Sequence, residues 1–129
     1  MIESTTSRLA GPVLVIDDDP MVLRMVARVL RSRGIDVHLE GRSLGLIDRI
    51  GEIRPALVLL DVHMPGLDGP ALTALVRKDP ALCRSRIVLY SGMDEQSLAE
   101  HAAACGADGY LQKAALGGLA QSVLDWLQR

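Results

Sequence analysis

Short, nearly unbroken apolar runs alternate along this chain with longer segments whose apolar positions recur at helical spacing. Such runs are Val13–Asp17, Leu57–Asp61 and Ile87–Ser91. Each is predicted to be a strand, because a run that is apolar at successive positions suits a strand covered on both faces. Ile35–Leu39 and Ala107–Gln112, more mixed, are predicted to be the second and fifth strands. Between them, Val22, Val26, Val29 and Leu30 mark a first helix, begun by Asp19-Pro20 and ended by Gly34 in a left-handed conformation. Leu46, Ile47 and Ile50 mark a second helix, with Ser43 as its cap. Leu72, Leu75 and Val76 mark a third, capped by Asp68 and closed by Pro80. A fourth runs from Asp94 through Leu98 and Ala102–Ala104 to Gly106, and a fifth spans Ala115–Gln128 despite Gly117 and Gly118. Strands alternating with helices at short spacing predict an α/β fold with a doubly wound parallel sheet. Residues 1–11 are small and polar and are expected to form a flexible tail ahead of one domain, 12–129.

Composition narrows this picture. At 129 residues and 49% hydrophobic, the chain has enough apolar mass for one domain core. Phe is absent, so that core must be aliphatic. A formal net charge of −2 provides no basic footprint for nucleic acid. Cys83 and Cys105 have neither CxxC nor zinc-ligand spacing and read as free thiols. The N-terminus lacks the basic and apolar segments of a signal peptide, and no apolar run approaches the ~18 residues of a membrane span. A cytoplasmic protein is expected.

The polar residues that interrupt the pattern carry the chemistry. Asp17 and Asp18, Asp61, Ser91 and Lys113 each stand at the C-terminal end of a predicted strand. Open α/β sheets bind ligands along that edge. Two carboxylates ~4 Å apart repel by about 4 kcal/mol at an effective dielectric near 20. A divalent cation removes that conflict, and an all-oxygen donor set of this kind suits Mg²⁺, with Mn²⁺ as a substitute. Asp61 can then serve as a carboxylate nucleophile toward a phosphoryl group, with Lys113 as a point charge on the phosphoryl oxygens and Ser91 as a hydroxyl donor. His63, two residues after Asp61, reads as a loop residue whose ring stays out of the chemistry. His38 and His101 belong to no constellation, and Trp126 reads as packing on the last helix.

Taken together, VLVIDDDP, LVLLDVHMPGLDG, IVLYSG and GYLQKA resemble the response-regulator receiver domain of bacterial two-component signalling, over nearly the whole chain from Val13 to Gln128. The resemblance implies a flavodoxin-like (βα)5 fold with strand order 2-1-3-4-5. It implies that Asp61 accepts phosphate from a histidine kinase or a histidine phosphotransfer protein. It also implies that Asp18, Asp61 and the backbone carbonyl of His63 hold Mg²⁺ directly, with Asp17 assisting through water. Ser91, Gly92 and Lys113 match the phosphate-binding positions, and Ser91 with Tyr110 matches the switch pair. Output is expected through protein contacts on the face formed by the fourth helix, fifth strand and fifth helix, from a monomer or weak dimer. Ala114 departs from the proline that usually follows the family's lysine, and His63 and Met93 occupy variable positions that tune phosphoryl lifetime.

Two kinds of alternative stay open. The chain is expected to be a stand-alone receiver that catalyses only its own phosphorylation and dephosphorylation. It could instead be the receiver of a larger regulator or hybrid kinase. A phosphatase with an aspartate nucleophile, or a receiver-like module that no longer takes phosphate, would be a different function on the same residues.

Overall fold

The computed structural model describes residues 10–64, 66–80, 82 and 84–129, with side chains described at all of these except 10, 67–70 and 114–116. Five parallel strands form one sheet: β1 (Ala10–Ile16), β2 (Ile35–Glu40), β3 (Leu57–Asp61), β4 (Arg86–Ser91) and β5 (Gly109–Gln112). Their order is β2-β1-β3-β4-β5, the expected one. Five helices cover the two faces: α1 (Pro20–Arg31), α2 (Leu46–Ile53), α3 (Gly69–Lys78), α4 (Glu95–Cys105) and α5 (Leu119–Gln128).

The unbroken apolar runs have a simple cause. Successive strand side chains point to opposite faces, and here both faces are covered. Val13, Val15, Leu57, Leu59, Val88 and Tyr90 pack with α1 and α5. Leu14, Ile16, Val58, Leu60, Ile87 and Leu89 pack with α2, α3 and α4. In β1, β3 and β4 a polar residue within the run would therefore be buried whichever way it pointed. The carboxylates and hydroxyl of these strands stand at their C-terminal ends, along one edge. β2, with Asp36 and His38 half-buried in its interior, is less completely covered.

Local signals set most boundaries. Asp19 caps α1, its Oδ1 accepting from the Met21 N–H at 2.9 Å, with Pro20 in the first turn. Asp94 caps α4 by accepting from the Ser97 N–H at 3.0 Å. Gly106 closes that helix with φ of 82°.

Other expectations need correcting. Ala10 and Gly11 belong to β1 and not to the tail, of which residues 1–9 lie outside the described residues. Helix α1 ends on Ser32 in a right-handed conformation, and the left-handed Gly34 follows two residues later in the turn. Helix α2 is capped by Gly45, with no side-chain bond, so Ser43 does not cap it. The Asp68 side chain, the expected cap of α3, lies outside the described residues, as does Cys83. The buried stripe of α3 runs through Leu72, Thr73 and Val76, which turns Leu75 outward to 58% exposure. Helix α5 starts at Leu119, because Lys113–Gly118 forms a 3-10 turn instead. Two adjacent glycines there cost helix propensity. A short antiparallel ribbon, His63–Met64 with Leu67–Asp68, was not expected.

One tight approach locks β5 under α5. A Cβ built on Gly109 would lie 2.3 Å from Cζ2 of Trp126. The indole packs on the core layer beneath α1 and α5, as expected for Trp126. Gly109→Ala should therefore destabilise the fold by about 1–3 kcal/mol through overpacking. Adding Trp126→Leu should recover part of that loss. Denaturant melts of the three proteins test it, and a Gly109→Ala protein as stable as wild type would refute the contact.

Candidate functional site

The edge formed by the C-terminal ends of β1, β3, β4 and β5 gathers the expected residues. Asp17 follows β1 directly and Asp61 is the last residue of β3, and both are buried. Asp18 is exposed at the rim. Carboxylate oxygens of Asp17, Asp18 and Asp61 all lie within 4.8 Å of one another. Lys113 follows β5 and reaches back over this group. Its Nζ is 2.7 Å from Oδ2 of Asp17 and 3.5 Å from Oδ2 of Asp61.

Backbone donors hold the two buried carboxylates in place. The Asp19 N–H donates to Oδ1 of Asp17 at 3.0 Å, and the His63 N–H donates to Oδ1 of Asp61 at 3.1 Å. The remaining oxygen of Asp17 behaves differently. Oδ2 is buried, and its partner among the described residues is the Lys113 ammonium. The donor set is all oxygen, partly buried and reachable from the rim through Asp18, so the residues present fit a hard divalent cation.

Burial raises the Asp61 pKa above its ordinary value, against the opposing His63 N–H bond and Lys113 charge, and the nearby Asp17 charge adds to the rise. The expected strain in the acidic pocket therefore falls on Asp61, but its main cause is desolvation and only secondarily repulsion between carboxylates. Burial alone would lower the Lys113 pKa. The Asp17 contact, with the charges of Asp61 and Asp17, outweighs it and raises the ammonium above its usual value. The cation is thus firmly charged where a phosphoryl group would need it.

Ser91 ends β4 and is buried, its Oγ accepting from the Met93 N–H at 3.1 Å. Gly92 follows it, exposed and with open space around its Cα. Tyr110 lies on the adjacent strand, two residues before the partner of Ser91 in the β4–β5 register. Its ring is half-buried against the α2–α4 layer, and its hydroxyl donates to Oε1 of Glu95 at 3.4 Å. The side chain of His63 is exposed, as expected for a ring outside the chemistry.

Tyr90 escaped the sequence reading. It is 1% exposed and sits opposite Asp61 in the β3–β4 register. The Lys113 Nζ lies 5.6 Å from its ring centroid. Burial, followed by the charges of Asp17 and Asp61, pushes its hydroxyl pKa up to about 12. A lone aromatic in an otherwise aliphatic strand, next to Ser91, was the available signal. Its contact with Lys113 is made across two strand ends and is not visible in the sequence.

Comparisons with known proteins agree with this geometry. The family model described as "Response regulator receiver domain" matches residues 13–123. A DNA-binding response regulator, MtrA, of Mycolicibacterium smegmatis is 33% identical over 101 residues, covering 78% of this chain and 43% of that protein. The chain thus spans less than half the length of this curated relative. A putative response regulator from Chloroflexus aurantiacus has a similar structure, with TM-score 0.84 and 28% identity, covering 92% of this chain and 98% of the other. The signal receiver domain of a signal transduction histidine kinase from Syntrophus aciditrophicus gives TM-score 0.80 and 25% identity, covering 92% and 91%. With its carboxylates, hydroxyl and lysine at the matching strand ends, the chain belongs to the response regulator receiver domain family.

Proposed function

We propose that this receiver accepts a phosphoryl group on Asp61 from the phosphohistidine of a histidine kinase or histidine phosphotransfer protein, and signals through protein contacts. The observation that carries this reading is the single ammonium of Lys113 set between the buried carboxylates of Asp17 and Asp61. In the transfer, the Asp61 carboxylate attacks phosphorus. The bond from phosphorus to the donor imidazole breaks, and the leaving nitrogen takes up a proton. Lys113 balances charge on the transferred oxygens, while the Ser91 hydroxyl and Gly92 N–H donate to them. Asp18, Asp61 and the His63 carbonyl would hold Mg²⁺ or Mn²⁺, with Asp17 acting through water. Bound there, the cation neutralises charge on the transferring phosphoryl oxygens.

Phosphorylation biases a two-state element. Ser91, released from the Met93 N–H, turns toward the new acceptor oxygens, and Tyr110 leaves Glu95 for the space Ser91 vacates. Output then passes through α4, β5 and α5. No described helix is long and apolar enough to cross a membrane, and we read the partners as proteins. DNA binding, for which the MtrA relative is named, is not assigned to this receiver in this reading. The receiver catalyses only its own phosphorylation and dephosphorylation, so p-nitrophenyl phosphate should not be turned over repeatedly.

Incubation with a small acyl phosphate should add one phosphoryl group to wild type in Mg²⁺, and Asp61→Asn should take up none. Intact mass measures both. Equal labelling of the two, or undiminished labelling in EDTA, counts against the reading.

A beryllofluoride phosphate mimic should shift amide resonances across α4, β5 and α5 as well as around Asp61. Shifts confined to the loop after Asp61 would refute the Ser91–Tyr110 coupling.

Stability should depend on pH in a defined direction. Because the Asp61 pKa is raised, the folded state binds its proton more tightly than the unfolded state does. That contribution favours folding below the unfolded pKa and is lost as pH rises through the folded one. Metal-free wild type should therefore lose stability relative to Asp61→Asn as pH rises from the acid range to neutrality. Mg²⁺ at ten times its Kd should restore about 1.4 kcal/mol to wild type and much less to the variant. Denaturant melts with and without Mg²⁺ decide it, and equal stabilisation of both proteins would place Asp61 outside the metal site.

A further inference from the structure

Lys113 has a long, flexible stem, and ordering such a side chain costs rotamer entropy. The turn that follows does not supply that order, since Lys113–Gly118 is a short 3-10 stretch ending in two glycines. The carboxylates meet only the tip of this stem, the ammonium, at 2.7 Å to Asp17 and 3.5 Å to Asp61. Something else must define where the stem lies.

The ring of Tyr90 is placed to do so. Tyr90 pairs in register with Asp61 on one side and Leu111 on the other, so its backbone is set by two neighbouring strands. Its side chain is 1% exposed within the α1–α5 core layer. Lys113 and Tyr90 together line a small cavity of about 50 Å³ with Val22, Met25 and Val26 of α1. The ammonium stands 5.6 Å from the ring centroid, inside the range of a cation–π contact. Neither the sheet nor the core requires an aromatic at this position, since the α1–α5 layer is otherwise built from aliphatic residues apart from Trp126.

We propose that Tyr90 is a positioning residue for Lys113: its buried ring fixes the lysine stem so that the ammonium meets Asp17 and Asp61, and so the oxygens of a phosphoryl group on Asp61. The rate consequence rests on the phosphoryl-acceptor reading above. The placement of Lys113 does not.

The test combines two readouts on wild type, Tyr90→Phe and Tyr90→Leu, each with and without Lys113→Ala. The first is the ¹H and ¹³C shift of the Lys113 ε-methylene, measured without metal or phosphate. An upfield ring-current shift is expected in wild type and Tyr90→Phe, and its loss in Tyr90→Leu. The second is the rate of Asp61 labelling by a small acyl phosphate in saturating Mg²⁺. Tyr90→Phe should keep most of the rate and Tyr90→Leu should lose about five- to tenfold, the worth of one partly desolvated cation–π contact. In the Lys113→Ala background the same two changes should have no further effect. Absence of the upfield shift in wild type overturns the proposal, and needs no variant to fold. An equal loss from Tyr90→Leu in both backgrounds also overturns it, because the ring would then be acting as packing alone. If wild type shows the shift but Asp61 takes no phosphate, the phosphoryl reading fails and the positioning of Lys113 by Tyr90 stands.

Discussion

One cation held between two buried carboxylates organises this molecule's working edge. Asp17 and Asp61 would be costly to bury ionised and side by side. The Lys113 ammonium meets both, at 2.7 and 3.5 Å, and two backbone N–H groups satisfy their other oxygens. The arrangement is stable but incomplete. Burial still holds Asp61 above its ordinary pKa, and the Asp17 charge beside it adds to the rise.

The fold makes that balance possible by separating packing from chemistry. Both sheet faces are covered, so strand interiors such as Val13–Ile16 and Leu57–Leu60 are wholly aliphatic and buried. In these strands charged groups are left to the ends, where the parallel arrangement brings every C-terminal end to the same edge. At the opposite edge a different set of contacts ties the layers together. Arg77 of α3 pairs with Asp108, and also donates to Ser85 O at 2.8 Å and Gly106 O at 3.1 Å. Asp108 in turn accepts from the Ile87 N–H at 2.7 Å. This clamp joins α3, the start of β4 and the turn before β5, away from the edge that carries Asp17, Asp61 and Lys113.

The link from site to surface is short. Ser91 and Tyr110 lie on adjacent strands, and Tyr110 already touches Glu95 at the start of α4. Gln112, the register partner of Ser91, donates to the Met93 carbonyl at 3.1 Å. A change at Ser91 therefore meets groups on the β4–α4 loop and on β5 within one contact. Such proximity supports a switch, because closely packed neighbours rearrange between discrete states more readily than they deform.

The strands, their polar terminal residues and the caps Asp19 and Asp94 were all legible in the sequence, because they arise from short-range rules. Apolar runs identify covered strands, and a carboxylate before a helix accepts its first free N–H groups. Asp61, Asp17 and Lys113 stood out for the same reason, as polar residues ending apolar runs. The strand order came from resemblance alone, and the structure bears it out. What the sequence could not determine was anything fixed by groups far apart along the chain. The outward turn of Leu75 depends on which stripe of α3 meets the sheet. The need for glycine at 109 depends on where Trp126 falls, and the late start of α5 depends on the turn that carries Lys113. Tyr90 is the clearest case. Its spacing says only that it is a buried strand residue, and only the packing of β4 beside β5 and under α1 brings its ring to Lys113. Local propensity acts over a few residues, whereas the position of an ammonium over a ring is set by the whole sheet.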